Sequence, residues 1–156
     1  MINYSDEKYI TDAVNKFSDT VFRVAYQYTG NRADAEDILQ DVFLKLLGAF
    51  QTGDDNRLKA WLIRVTINRS KDFLRAKKRR RETLLNDYAQ PEPHGEHSEV
   101  FEALGKLSER DRNALYLHYY EGYTAKEIAE ITGDKERAVT KRIARARIKL
   151  KDFLEE

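Results

Sequence analysis

Asp34, Asp37 and Asp41 stand three and four residues apart in the stretch GNRADAEDILQDVFLKLL. On a helix that spacing gathers the three carboxylates into one stripe. Ile38, Leu39, Val42, Phe43, Leu46 and Leu47 recur beside it at three- and four-residue intervals and mark a buried face. Three chemistries fit such a stripe. Acids near a helix start complement the positive end of the macrodipole. Carboxylates that converge with ligands from a second helix hold a metal, although no partnered Glu-x-x-His pattern accompanies these. An acidic stripe with an apolar border also makes a docking surface for a basic partner helix. His94 and His97, three apart, have no third ligand nearby and are not taken for a metal site.

A second stretch, TAKEIAEITGDKERAVTKRIARARIKLK, has the grammar of a helix-turn-helix. That motif needs a small residue where two helices cross, a glycine at the turn and an apolar residue facing inward from the second helix. Ala129, Gly133 and Val139 supply these, and Ile128, Ile131 and Ile143 complete a small core. The outward positions of the second helix are Arg137, Thr140, Lys141 and, a turn later, Arg145. Arg and Lys pair with guanine edges or phosphates, and Thr serves either. Thr132 and Asp134 depart from the pattern, since the positions flanking the glycine are usually apolar; either Asp134 caps the second helix, or, as an acid near the phosphate backbone, it makes this module a weak binder of DNA.

The net charge of +1 conceals segregation. Residues 75–81, RAKKRRR, carry six basic residues and no acid; residues 82–134 carry four against twelve; residues 135–156 carry eight against four. Two basic islands flanking an acidic middle are the footprint of a polyanion-binding protein, which the overall pI hides. The absence of cysteine excludes disulfides, thiolate metal sites and cysteine nucleophiles. MINYSDEK lacks the pattern of a secretory signal and no apolar run is long enough to span a bilayer, so a soluble cytoplasmic protein is expected.

The elements that position these residues are all helical. Ser5 caps a first helix reaching about Lys16, and Ser18 or Asp19 restarts the chain into VFRVAYQYT, which stops at Gly30. Asn31 caps the helix of the acidic stripe. QTGDDN is a turn, and RLKAWLIRVTINRSKDFLRAKKRRR runs without Gly or Pro as one extended helix. LLNDYAQPEPHGEHS holds both prolines and reads as a linker. Beyond it Ser98 and Ser108 start helices, Gly122 stops the second, Thr124 and Glu127 form a capping box, and Gly133 ends the next helix. The expected architecture is all-α, in two small helical domains joined by a flexible linker.

Taken together these stretches resemble bacterial RNA polymerase sigma factors of the extracytoplasmic-function (ECF) group. GNRADAEDILQDVFLKL is similar to their regions 2.1–2.2, KAWLIRVTINRSKDFLRAKKRR to 2.3–2.4, and LSERDRNALYLHYYEGYTAKEIAEITGDKERAVTKRIARARIKL to region 4. The resemblance implies a region 2 domain over 1–84, a linker over 85–97 and a region 4 domain over 98–156. It implies that Asp37, Gln40, Asp41 and Phe43 dock on core RNA polymerase at the clamp helices of the largest subunit, with the flap as a further polymerase contact. The loop Gln51–Arg57, including Asp55, Asn56 and Arg57, and the face with Trp61, Arg64 and Asn68 would capture a flipped minus-ten base. Lys71, Arg75 and Lys77 would follow the melted strand. Arg137, Thr140, Lys141, Arg142 and Arg145 would read the minus-thirty-five element. No cofactor, catalysis or membrane insertion is implied; double- and single-stranded promoter DNA and an anti-sigma factor are the other partners, in the bacterial cytoplasm at the nucleoid. The alternative is a stand-alone helix-turn-helix regulator that uses the stripe at residues 34–47 for dimerisation.

Overall fold

Three long helices build the first half of the chain. In the computed structural model, which describes residues 4–49, 54–83 and 99–155, they are α1 (Tyr4–Thr29), α2 (Arg32–Leu47) and α3 (Asp55–Thr83). Then come α4 (Glu99–Gly105), α5 (Glu109–Leu115), a π-helical turn at Tyr116–Tyr120 that continues α5, α6 (Ala125–Thr132) and α7 (Glu136–Glu155). No strand occurs among the described residues, so the all-α expectation holds. The chain divides into two compact units, Met1–Pro91 and Glu92–Glu156. The expected linker at 85–97 lies outside the described residues.

In the first unit α1, α2 and α3 pack on one another around Phe17, Val21, Ala25, Ile38, Val42, Leu46, Leu58 and Leu62. The two helices expected before Gly30 are one. No Gly or Pro interrupts Tyr4–Thr29, and Ala13, Phe17, Val21 and Val24 carry one buried face straight through the expected break. Asp19, expected to restart the chain, instead accepts from Arg23 Nε at 2.8 Å one turn along the same helix. Ser5 lies in the first turn of α1 and not ahead of it. The remaining boundaries follow local chemistry. Gly30 takes φ of 62°, Asn31 Oδ1 accepts the Asp34 N–H at 3.0 Å, and Asp54 Oδ1 accepts from Asn56 and Arg57 at 2.9 and 3.3 Å to start α3.

The second unit wraps α4, α5 and α6 against α7, burying Leu107, Leu115, Leu117, Ile128, Val139 and Ile143. Ser108 Oγ accepts the Asp111 N–H. Thr124 and Glu127 bond reciprocally at 3.1 and 3.0 Å, the expected capping box. Gly133, with φ of 81°, closes α6 as its N–H reaches Ala129 O at 2.8 Å. Asp134 does not stand at the cap position of α7; Lys135 does, and its carbonyl accepts the Val139 N–H at 3.1 Å. The π-helical turn was not anticipated. In it Tyr116 and Tyr120 stack 5.2 Å apart, the Tyr116 hydroxyl donates to Glu121 Oε1 at 2.7 Å, and the Glu121 N–H reaches back to Tyr116 O.

The two kinds of glycine separate by experiment. Alanine at Gly133 should cost about 1–2 kcal/mol, because an L side chain in the left-handed region crowds the next carbonyl. A Cβ there meets no neighbour, so no steric loss adds to it. Alanine at Gly48, where φ is −100°, should be neutral or stabilise by up to about 1 kcal/mol. Scanning calorimetry of the two variants checks the contrast.

Candidate functional site

The acidic stripe of α2 is split by its neighbour. Asp41 Oδ2 accepts from Arg69 Nε at 3.0 Å and lies 2.8 Å from its Nη2. Asp34 Oδ2 lies 3.5 Å from Lys77 Nζ. Asp37, between them, is exposed. With Gln40, Leu44 and Leu47 it forms a run at three-, four- and three-residue spacing, all four exposed, so they share one outer face. Leu44 is 63% and Leu47 41% exposed, an unusual amount of aliphatic surface on one side of a short helix. Phe43 does not share this face. It is 6% exposed and belongs to the core beside Val42 and Leu46. Sequence periodicity had placed Leu47 inside and passed over Leu44; the 37–40–44–47 spacing carried the signal.

Along α3 the positions 57, 61, 64, 68, 71 and 75 recur every four and three residues and form a second stripe. Arg57, Arg64, Asn68 and Arg75 are exposed, while Trp61 and Lys71 are half-buried. Trp61 also packs against the core. The stripe runs about 27 Å at the helical rise per residue. It offers cations for phosphates and an aromatic edge and an amide for bases, the set that single-stranded nucleic acid needs. Asp55 at its start is held by Lys16 Nζ at 3.0 Å, which raises the Lys16 pKa through that hydrogen bond and the charge of Asp55. Arg75 pairs with Asp72. Lys77 is off the stripe and turned toward Asp34, with a quarter of its side chain exposed. Lys78, Arg79 and Arg80 extend the exposed cationic end. Gln51–Gly53 of the expected base-capturing loop lie outside the described residues.

In the second unit α6 and α7 form the helix-turn-helix. Ala129, Val139 and Ile143 are buried at its crossing. Thr132 is tolerated at the turn because its hydroxyl donates to Ile128 O at 2.9 Å and accepts the Asp134 N–H at 3.3 Å, so no polar group there is left unmade. Arg137, Thr140, Lys141 and Arg145 are exposed on α7 and Arg142 is half-buried. Farther along the helix the surface turns apolar, in a shallow groove lined by Ala144, Ile148, Leu150 and Leu154 with Arg147 and Lys151 at its rim. Lys149 is taken up by Asp111 at 3.7 Å. Burial, then the charges of Glu121 and Glu127, push the Tyr123 hydroxyl up to about 12, so it stays protonated wherever the protein is folded and working. Among the described residues no group of three or more His, Cys, Asp or Glu side chains is placed to hold a metal, and no helix is long and apolar enough to cross a membrane.

These features define, among the described residues, a helical protein of two units, one with a helix-turn-helix. Residues 13–80 match the family model for sigma-70 region 2 and residues 97–150 that for sigma-70 region 4. The ECF RNA polymerase sigma factor SigE of Mycolicibacterium smegmatis is 32% identical over 92% of this chain, which spans 60% of that relative's length. RNA polymerase sigma factor SigV of Bacillus subtilis is 32% identical over 88% of this chain and 83% of its own. The sigma factor RpoE of Bartonella quintana, solved in complex with the anti-sigma factor NepR, superposes with a TM-score of 0.71 at 25% identity, covering 93% of this chain and 96% of that one. The chain belongs to the sigma-70 family of RNA polymerase sigma factors, in its ECF group. Members of that family are DNA-binding transcription initiation factors.

The outer and inner residues of α2 are distinguishable by stability alone. Phe43→Ala should cost about 3–5 kcal/mol, the range for a buried aromatic. Leu44→Ala should change stability by no more than about 0.5 kcal/mol, as at an exposed site. Equilibrium denaturation in urea of the two variants makes the comparison.

Proposed function

We propose that this protein is an alternative sigma factor that docks on core RNA polymerase through the outer face of α2, holds the melted minus-ten strand along the stripe of α3, and reads the minus-thirty-five element with α7. The docking face is Asp37, Gln40, Leu44 and Leu47, two carbonyl-bearing polar groups beside exposed aliphatic surface, suited to a basic partner helix such as the clamp helices of the largest subunit. Asn56, Arg57, Trp61, Arg64, Asn68, Lys71 and Arg75 make the single-strand surface. Arg137, Thr140, Lys141 and Arg145 face the major groove, and Arg142 sits at its margin. The single observation that carries this reading is that one compact unit presents both faces on packed neighbours, α2 and α3, which would keep polymerase docking and strand capture together.

On this reading residues 1–84 serve polymerase docking and minus-ten recognition and 98–156 serve minus-thirty-five recognition. The apolar groove on α7 supports a contact with the polymerase flap. An anti-sigma factor is the regulatory partner, as the Bartonella quintana relative has one in its solved complex. The protein lends specificity to the polymerase and is not itself an enzyme; its place is the bacterial cytoplasm, at the nucleoid. A stand-alone dimeric regulator would bury Leu44 and Leu47 between copies, and no relative reported above is of that kind.

Asp37→Lys combined with Leu44→Asp should abolish co-elution with core polymerase while leaving the helical circular-dichroism spectrum unchanged. Arg137→Ala should cost about 1–3 kcal/mol at promoters and relax preference at one or two upstream base pairs. Transcription from a promoter library by core polymerase with each variant measures both; an unaltered upstream preference for Arg137→Ala would remove α7 from base reading.

A further inference from the structure

The two outer acids of the α2 stripe are spent inside the protein. Asp41 meets Arg69 at 2.8 Å and Asp34 meets Lys77 at 3.5 Å. The acids are seven residues apart on α2 and the cations eight apart on α3, in reversed order, so the two pairs bridge antiparallel helices at two points. Those points are about 10 to 12 Å apart along the axes. A single pair lets a helix pivot about the contact; two pairs at that separation fix both its axial register and its angle.

The location of the pairs gives this weight. The first half of α3 is held by buried side chains, Leu58, Leu62, Ile63, Val65, Thr66 and Ile67, and the last buried position is Ser70. Beyond Ser70 no described side chain of α3 is buried. Phe73 and Leu74 are half-buried, and every residue from Lys78 to Thr83 is exposed. Beyond Ser70 the apolar contact with the core comes from the half-buried Phe73, so this half, which carries Lys71, Arg75 and the cationic end, is oriented by less apolar contact than the first. Lys77 and Asp34 are each only about a quarter exposed, which limits screening by salt.

The geometry points to Asp34, Asp41, Arg69 and Lys77 as positioning residues: Asp41 is not a polymerase contact and Lys77 is not a DNA contact, and the two pairs hold the strand-binding stripe of α3 at a set angle to the docking face of α2. The inference rests on the assignment of those two faces to polymerase and to single-stranded DNA. It also divides the cations of α3, with Arg69 and Lys77 neutralised within the protein while Arg57, Arg64 and Lys78 to Arg80 stay available for phosphates.

Reciprocal charge exchange in the full chain bound to core polymerase tests it. The variants are D41R, R69D and the exchange D41R/R69D, then D34K, K77D and the exchange D34K/K77D. Readouts are affinity for core, open-complex formation on a duplex promoter, the salt slope of promoter binding, and Tm. Each single reversal should lower open-complex formation about five- to tenfold, as expected for coupled neighbours in direct contact. Affinity for core should stay within about twofold of wild type, because the docking face is intact. Each exchange should restore open complexes to near the wild-type level without changing the salt slope, since no phosphate contact is lost. A D41R variant that loses core binding, with no recovery in the exchange, would make Asp41 a docking group and overturn the inference. So would a D34K/K77D exchange that stays defective with a shallower salt slope, because Lys77 would then touch DNA. Single reversals with wild-type open-complex formation would overturn it as well. If a reversal unfolds the protein, D41N and R69Q carry the same readouts, and wild-type melting by both is the overturning result. Failure of the wild-type protein to bind core or to melt a promoter would instead strike the assignment of the faces.

Discussion

The structure of the first unit turns on one constraint: α3 must be buried on one side and wet along its whole length on the other. A 29-residue helix that met this only with apolar contacts would need an apolar arc along its full length. This chain supplies buried positions as far as Ser70 and only the half-buried Phe73 against the core beyond it. Arg69, just before that point, and Lys77, beyond it, are cations whose counter-charges are the acids Asp41 and Asp34 of α2. The acidic stripe thus has a double use. Its outer members close the helix pair, and its middle member, Asp37, is left on the surface beside Leu44 and Leu47. The face offered to a partner is consequently small, mixed in polarity and carried by a helix that is itself braced.

The second unit solves a different problem, the close crossing of a short helix with a long one. Ala129 keeps the side-chain bulk at the crossing low, Gly133 turns the chain in a conformation that an L side chain strains to adopt, and Val139 and Ile143 seal the contact from α7. Once that crossing is made, the N-terminal turns of α7 project Arg137 and Lys141 on the side away from the core. The polar turn, with Thr132 where an apolar residue is usual, is stable because its hydroxyl both donates and accepts locally. The polar substitution therefore adds no unsatisfied group to the turn.

Caps and glycine stops were readable in the sequence because their chemistry is local. Asn31, Ser108, Thr124 with Glu127, and Gly133 all act where the spacing placed them. The family itself was readable from two motifs in series. The failures arise where tertiary contact decides. Ser18 and Asp19 look like a helix start, but a buried face that runs unbroken through Phe17 and Val21 overrides a weak local preference. Periodicity put Phe43 inside, as the structure does, but it also put Leu47 there, and Leu47 is exposed beside Leu44. The pairing of Asp41 with Arg69 and of Lys77 with Asp34 could not be read, since the partners lie 28 and 43 positions apart. The π-helical turn depends on a Tyr116–Tyr120 stack and a hydroxyl bond to Glu121, for which the run YLHYYEG carries no recognised signal.

The same pairing bears on how strongly the free chain can hold DNA. With 28 basic and 27 acidic residues the net charge is +1, so attraction to a polyanion rests on the basic islands and not on the overall charge. Within the basic islands Arg75, Lys77 and Lys149 already have carboxylate neighbours, as does Arg69 just before the first. Sequence-independent affinity scales with the number of phosphates neutralised, and each cation engaged internally removes one from that number or must break a pair first. On the proposed function, such a chain would lean on core polymerase for affinity and select with the few exposed side chains that remain, and the placement of acids against bases is what would leave it so few.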